Sequence, residues 1–275
     1  LSSKTTPKIF DVCIIGGAGH VGLPLGLAFA SEGKRVILVD KNIHAIKLIA
    51  NGEMPFFEDG GEKILNKCLG KTLFLDSDIS QAANAESIVI AIGTPVDEYL
   101  NPKLDSLLNL FAELYPFLSD TETIIVRSTV YPGTCEQIKT QMEREGFKSA
   151  AIAYCPERIV QGKSLQELSS LPQLVAATDI QTRKRAVKLF SSIAPKTIEV
   201  TLKEAELAKL FSNAWRYIQF AAANQFYMMS EKFGAEFDQI RRAMVDGYGR
   251  AADLPTAGFA AGPCLLKDTL QLAAF

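Results

Sequence analysis

Histidine and tryptophan are scarce: the 275 residues hold two His and one Trp. With only His20 and His44 available, no histidine-based triad or multi-histidine metal site can be assembled. Acid–base chemistry therefore falls to Lys, Asp, Glu or Cys. The five cysteines (Cys13, Cys68, Cys135, Cys155, Cys264) are odd in number, scattered and without metal-ligand spacing. This argues against a disulfide scaffold and a thiolate-bound metal, and fits a reducing cytoplasm. No apolar run reaches membrane-spanning length, and the residues before Phe10 do not read as a signal peptide. A net charge of −2 and a pI near 5.9 leave no excess of one sign. Neither a nucleic-acid nor a membrane partner is expected, and no metal.

What is present is a large apolar fraction, 48%, enough for a substantial core. The chain is organised around Val12-Cys13-Ile14-Ile15-Gly16-Gly17-Ala18-Gly19-His20-Val21-Gly22-Leu23. A strand-like run ends in a glycine-rich turn, and a helical pattern follows. Gly17, Gly19 and Gly22 satisfy G-x-G-x-x-G, a turn that brings a pyrophosphate to the backbone and to a helix N-terminus. The second strand candidate, Val36–Val39, ends at Asp40, about 20 residues on. An acid there accepts from ribose hydroxyls and repels a 2′-phosphate, which predicts NAD rather than NADP. The expected cofactor contacts in this turn are Gly17, Gly19, His20, Val21 and Gly22, with Asp40.

Over the first 200 residues, short β-branched runs alternate with amphipathic ones, predicting an α/β fold with a doubly wound Rossmann-type parallel sheet. Strands are expected at 12–15, 36–39, 72–75, 88–92, 123–126, 151–154, 174–177 and 198–201. Helices are expected at 23–31, 43–50, 104–117 and 180–193. Three post-strand loops combine Pro and Gly with hydroxyl or charged groups, as ligand-facing turns do. They are Gly93-Thr94-Pro95, Ser128-Thr129-Val130-Tyr131-Pro132-Gly133-Thr134 and Cys155-Pro156-Glu157-Arg158-Ile159-Val160-Gln161-Gly162. Thr94, Pro95, Ser128 and Thr129 are accordingly candidates for the cofactor side.

From Lys203 to Lys232 there is neither Gly nor Pro, which predicts one long helix stopped at Gly234. It opens a helical central domain, 201–275, after a nucleotide-binding domain, 1–200. Leu207, Leu210, Phe211, Trp215, Ile218, Phe220, Phe226 and Met229 give it so much apolar surface that it must brace two domains, form a homodimer contact, or both. Lys209 and Asn213 stand four apart on one face and suit a developing alkoxide. Alternatively, Lys209 forms a surface ion pair with Glu206. Further on, Gly262-Pro263 predicts a loop before Cys264, with a helix beginning at Lys267-Asp268. A cysteine so placed is either a nucleophile of depressed pKa or a buried structural thiol.

These parts compose a mechanism. A nicotinamide removes a hydride from an alcohol, a thiolate captures the aldehyde, and a second hydride leaves a thioester. Water activated by Glu157 or Asp268 then releases an acid.

So assembled, the chain resembles the nucleotide-sugar 6-dehydrogenase family, which includes UDP-glucose and UDP-N-acetylmannosamine dehydrogenases. The resemblance runs through Gly19-His20-Val21-Gly22-Leu23-Pro24-Leu25, Asn51-Gly52 with Pro55 and Glu58, Gly93-Thr94-Pro95, and Ser128-Thr129-Val130 with Pro132-Gly133-Thr134. It continues through Cys155-Pro156-Glu157-Arg158 with Gly162, Ala205-Glu206-Leu207-Ala208-Lys209 with Asn213, and Gly262-Pro263-Cys264-Leu265-Leu266-Lys267-Asp268. It implies a four-electron, NAD-dependent oxidation of a UDP-sugar C6 hydroxyl to the carboxylate. Cys264 is then the nucleophile, and Lys209 and Asn213 stabilise anionic intermediates. Asp268 and Glu157 handle water and protons, Thr134 lies near the reacting water, and Lys267 belongs to the cofactor side. Arg250 resembles the arginine that holds substrate, often across a dimer interface. Arg158 after Pro156-Glu157 resembles the N-acetylhexosamine branch and points to the substrate too.

The chain departs from the family pattern at Gly16-Gly17, which adds a residue to the turn, at Gln225 after Asn224, and at Gln161. Family members also continue into a C-terminal UDP-binding domain. Beginning at Leu1 and stopping at Phe275, this sequence is expected to be a fragment that binds NAD but turns over substrate poorly. The rival enzyme class is a two-electron 6-phosphogluconate or β-hydroxyacid dehydrogenase, which needs no cysteine. The rival without catalysis is an NAD-binding dimer module.

Overall fold

A computed structural model describes residues 8–94, 105–147, 150–259 and 263–273, without the side chains of 263, 264 and 271. The apolar run after Ile9 forms β1 (Phe10–Ile15), and α1 (Gly22–Ser31) follows the glycine turn. Next come β2 (Val36–Val39), α2 (Ile43–Ala50), α3 (Gly61–Cys68), β3 (Leu73–Asp76) and β4 (Ala85–Ile90). The alternation continues with α4 (Asp105–Leu114), β5 (Thr123–Val126), α5 (Thr134–Arg144), β6 (Ile152–Tyr154), α6 (Ser164–Ser170), β7 (Gln173–Ala177), α7 (Ile180–Phe190) and β8 (Thr197–Glu199). The last described elements are α8 (Leu202–Lys232), α9 (Phe237–Val245) and α10 (Pro263–Ala273).

The eight strands form one sheet in the order β3-β2-β1-β4-β5-β6-β7-β8. The order reverses direction at β1 and β4, which opens a crevice at their carboxyl ends. Side-chain alternation divides the core between the two faces of the sheet. Val12, Ile14, Leu38, Val89 and Ile125 pack in one cluster, with α1. Cys13, Ile15, Ile37, Ile88 and Ile124 pack in the other, with α4. Burial on both faces is why these strands read as continuous apolar runs.

The structure corrects several expectations. The sheet is not wholly parallel: β7 runs antiparallel to β6, with Tyr154 opposite Ala176. The fourth strand is 85–90 rather than 88–92, because Ala85 and Ser87 pair with Phe10 and Val12. The helix predicted at 104–117 ends at Leu114 in a 3-10 turn over Tyr115–Phe117, where Pro116 cannot donate to the helical ladder. Cys264 does not precede its helix. α10 starts at Pro263, since proline is favoured at a first helical position, where no N–H is needed.

The chain divides by internal packing into two compact units, with the boundary inside α8 between Leu207 and Ala208. Glu206, at the end of the first unit, is fully buried rather than on the surface. Its carboxylate instead accepts from Gly133 N at 2.6 Å and Cys135 N at 3.0 Å, capping the N-terminus of α5. In the second unit, Phe211, Trp215, Ile218, Phe226 and Met229 recur every few residues along α8 and are exposed. No helix among the described residues is long and apolar enough to cross a membrane.

Removing the buried cap should be costly. Glu206→Ala is expected to destabilise the protein by about 1–3 kcal/mol, because two backbone donors lose their acceptor. Urea unfolding checks this, and an unchanged midpoint would contradict the cap.

Candidate functional site

In the glycine turn, Gly16 N and Gly17 N both donate to Val39 O, at 3.0 and 3.1 Å. Both amides share this acceptor, and Gly16 takes a left-handed φ of +80°. Three residues past β1, Ala18 N donates to Asp40 Oδ2 at 2.9 Å, while Asn42 N donates to Oδ1 at 2.9 Å. Asp40 thus sits at the end of β2 against the turn, with acceptor capacity left for hydroxyl donors. A Cβ on Gly22 would lie 2.2 Å from Gly16 O, so any larger residue would push α1 away. Beside Asp40 a cleft of about 370 Å³ is lined by Val39, Ile79, Ile92 and Leu110, and bordered by the Lys41–Glu113 ion pair at 2.8 Å. His20 stacks on Phe56, with ring centroids 4.0 Å apart. Val21 takes the position just before α1.

The loops after β4 and β5 are joined. Thr94 Oγ1 donates to Thr129 O at 2.7 Å, and Ser128 Oγ donates to Ile92 O at 2.7 Å. Pro95 lies outside the described residues. Thr134, buried at the first position of α5, donates to Tyr131 O at 2.5 Å. After β6, Glu157 forms an ion pair with Arg127 and accepts from Arg158 N and Ile159 N at 2.6 and 2.8 Å. Arg158 folds back and donates to Pro172 O. Burial holds its guanidinium below the usual range, partly offset by the Glu157 charge.

In the second unit, Lys209 and Asn213 are buried on α8. Asn213 Nδ2 donates to Asp268 Oδ2 at 2.5 Å. Lys267 Nζ stands 2.6 Å from Asp268 Oδ1, but out of line for a hydrogen bond. The fold therefore brings Asn213, Lys267 and Asp268 together. Cys264 lies on α10 one turn before Asp268, with its side chain outside the described residues. Arg250 joins none of them; it is exposed, its guanidinium 5.3 Å from the Tyr248 ring centroid. Among the described residues, no group of three or more His, Cys, Asp or Glu is arranged to hold a metal.

Residues 10–194 match the NAD binding domain of the UDP-glucose/GDP-mannose dehydrogenase family, and residues 203–275 match its central domain. The chain belongs to this family. The UDP-N-acetyl-D-mannosamine dehydrogenase of Methanococcus maripaludis is 28% identical over 242 residues, 86% of this chain and 55% of the relative. A solved NDP-N-acetyl-D-galactosaminuronic acid dehydrogenase from Methanosarcina mazei is 26% identical, with a TM-score of 0.79 over 98% of this chain and 60% of its own. The fold is shared with a UDP-D-ManNAc dehydrogenase from Pyrococcus horikoshii, at a TM-score of 0.89, 24% identity, 96% of this chain and 64% of its own. The chain spans a little over half the length of the first two of these curated and solved relatives.

Membership in the dehydrogenase family makes NAD the cofactor of the first unit, and the residues fit it. The turn admits no side chain at Gly22, Asp40 suits a ribose diol, and the apolar cleft suits an adenine ring. Sequence reasoning missed Phe56, Glu206, Arg127 and Gln173, each of which has a partner far away in the chain. A basic residue directly after a buried strand, as in Val126-Arg127, was the one local signal available.

Two predictions follow from this geometry. Gly22→Ala should weaken NAD binding about tenfold or more through overpacking; calorimetric titration with NAD checks it, and undiminished affinity would remove the turn from the cofactor site. Burial pushes the thiols of Cys13 and Cys155 up to about 12. At pH 8 each should be thiolate in only about one molecule in ten thousand. Iodoacetamide should therefore leave both unlabelled in the folded protein, and rapid modification at pH 8 would contradict their burial. These thiols stay protonated in the fold while ionising in the unfolded chain, so their contribution to stability is lost as pH rises from about 9 towards about 12.

Proposed function

We propose that the protein oxidises the C6 hydroxyl of a UDP-sugar to the carboxylate, with a UDP-N-acetylhexosamine preferred over UDP-glucose. The observation that carries this reading is the cluster that Asn213 of α8 forms with Lys267 and Asp268 of α10, the helix that also bears Cys264. The preference for an N-acetylhexosamine is supported by relatives named UDP-N-acetyl-D-mannosamine dehydrogenase and by Arg158.

When bound, NAD would supply the hydride acceptor, a fresh molecule for each of two oxidations, alcohol to aldehyde and thiohemiacetal to thioester. Gly17, Gly19, His20, Val21 and Gly22 form its phosphate turn and Asp40 takes its ribose, with Thr94, Pro95, Ser128, Thr129 and Lys267 on its nicotinamide side. Cys264 is the nucleophile: its thiolate adds to the aldehyde carbon, and the carbonyl oxygen becomes the anionic oxygen of a thiohemiacetal. Lys209 and Asn213 donate to that oxygen. After the second oxidation, water adds to the thioester carbon, Glu157 or Asp268 takes the water's proton with Thr134 nearby, and the thiolate leaves. Arg158 and Arg250 hold the sugar nucleotide. The exposed apolar face of α8 supports a homodimer, in which Arg250 serves the partner's site. On this reading the reaction supplies cytoplasmic polysaccharide synthesis, and a further domain completes the UDP site.

The test uses the complete gene product with NAD and, in turn, UDP-N-acetylmannosamine, UDP-N-acetylglucosamine, UDP-N-acetylgalactosamine and UDP-glucose. Two NADH per sugar are expected, with Cys264→Ser abolishing formation of the acid. One NADH per sugar, or full activity in Cys264→Ser, would overturn the thiol route in favour of a two-electron dehydrogenase.

A further inference from the structure

Because β7 runs antiparallel to β6, its first residue lies at the rim where β6 ends. The pairing of Tyr154 with Ala176 sets Gln173 opposite position 157. Arg127, directly after β5, reaches the same point and is buried. Its Nη1 donates to Cys155 O at 3.1 Å and to Gln173 Oε1 at 3.0 Å, its Nη2 pairs with Glu157 Oε2, and its guanidinium lies 5.3 Å from the Phe190 ring centroid. Gln173 Nε2 donates to Pro156 O at 3.2 Å and to Leu174 O at 2.9 Å. Arg127 and Gln173 thus bind the carbonyls of residues 155 and 156, while Glu157 binds the two N–H groups that follow it.

We propose that Arg127 and Gln173 are positioning residues that fix the Glu157 carboxylate for the water step, an inference that rests on the roles given above to Glu157 and Cys264. A carboxylate offers about four acceptor positions. Arg127, Arg158 N and Ile159 N take three here, which leaves Oε2 one direction in which to receive a proton from water. A buried ion pair adds little net stability over apolar packing, and Arg127 Nε has no hydrogen-bond partner. The contribution of the pair is therefore the fixed orientation of the acid. Gln173 keeps that orientation without adding a second charge beside Glu157.

The experiment is single-turnover and steady-state kinetics of the complete gene product, with intact-protein mass spectrometry of quenched samples. Gln173→Leu should keep the initial burst of NADH while steady-state kcat falls by about ten- to a hundredfold, as expected for a misplaced reacting group. An acyl adduct on Cys264 should accumulate, and KM for the UDP-sugar should change little. Arg127→Lys, which keeps the charge but loses the fork, should behave alike; if it fails to fold, Gln173→Leu carries the test alone. Glu157→Gln is the reference. If it accumulates the adduct and Gln173→Leu turns over like the parent, or loses burst and steady state together, the positioning role is overturned. If Glu157→Gln accumulates none, the assignment of Glu157 fails, and the inference with it.

Discussion

Helix α1 can lie where it does only because nothing projects from Gly22 towards the carbonyl of Gly16, where a methyl group would sit at 2.2 Å. The helix has nowhere to retreat, since most of its residues, from Leu23 to Ala30, are buried. Its opening turn is therefore held at the carboxyl end of β1, beside the point where the strand order reverses. Asp40 and the neighbouring apolar cleft derive their relation to that turn from the same packing.

Around this rim, acids are used to shape backbone as well as to meet ligands. Asp40 holds Ala18 N and Asn42 N, Glu58 holds Leu165 N, Glu157 holds Arg158 N and Ile159 N, and Glu206 holds Gly133 N and Cys135 N. Each ties a loop or a helix start either to its own loop or to a segment far away in sequence. Loops without ladder hydrogen bonds need such acceptors when they are buried. The arrangement leaves the rim polar in function but rigid in form, as a site that must orient a cofactor requires.

Much of the first unit was legible because β1, β2 and β5 are buried on both faces, so composition alone marked them. β4 was harder: Ala85-Glu86-Ser87 is not strand-like by itself and pairs because Phe10–Val12 lie beside it. The reversal of β7 was not legible at all, since side-chain alternation is the same in either direction. The burial of Glu206 was not legible either, because the backbone donors that it accepts from, at Gly133 and Cys135, are about seventy residues away. Cys264 was placed outside its helix although the rule favouring proline at a first helical position was available. The family, by contrast, was legible from the order of seven short motifs, none decisive alone, and the match over residues 10–194 and 203–275 agrees.

The reversal of β7 also sets a gauge for the chain. Between Glu157 and Gln173 lie a turn at 161–162 and the short helix α6, so the length of that excursion decides which residue arrives at the rim. Successive residues of a strand face opposite sides of its sheet. Losing or gaining a single residue between 159 and 171 would bring Leu174 or Pro172 to the place of Gln173, and neither can bond both Arg127 and the 155–156 backbone. Surface loops usually drift in length among relatives. This excursion should instead keep its length while its exposed residues change freely.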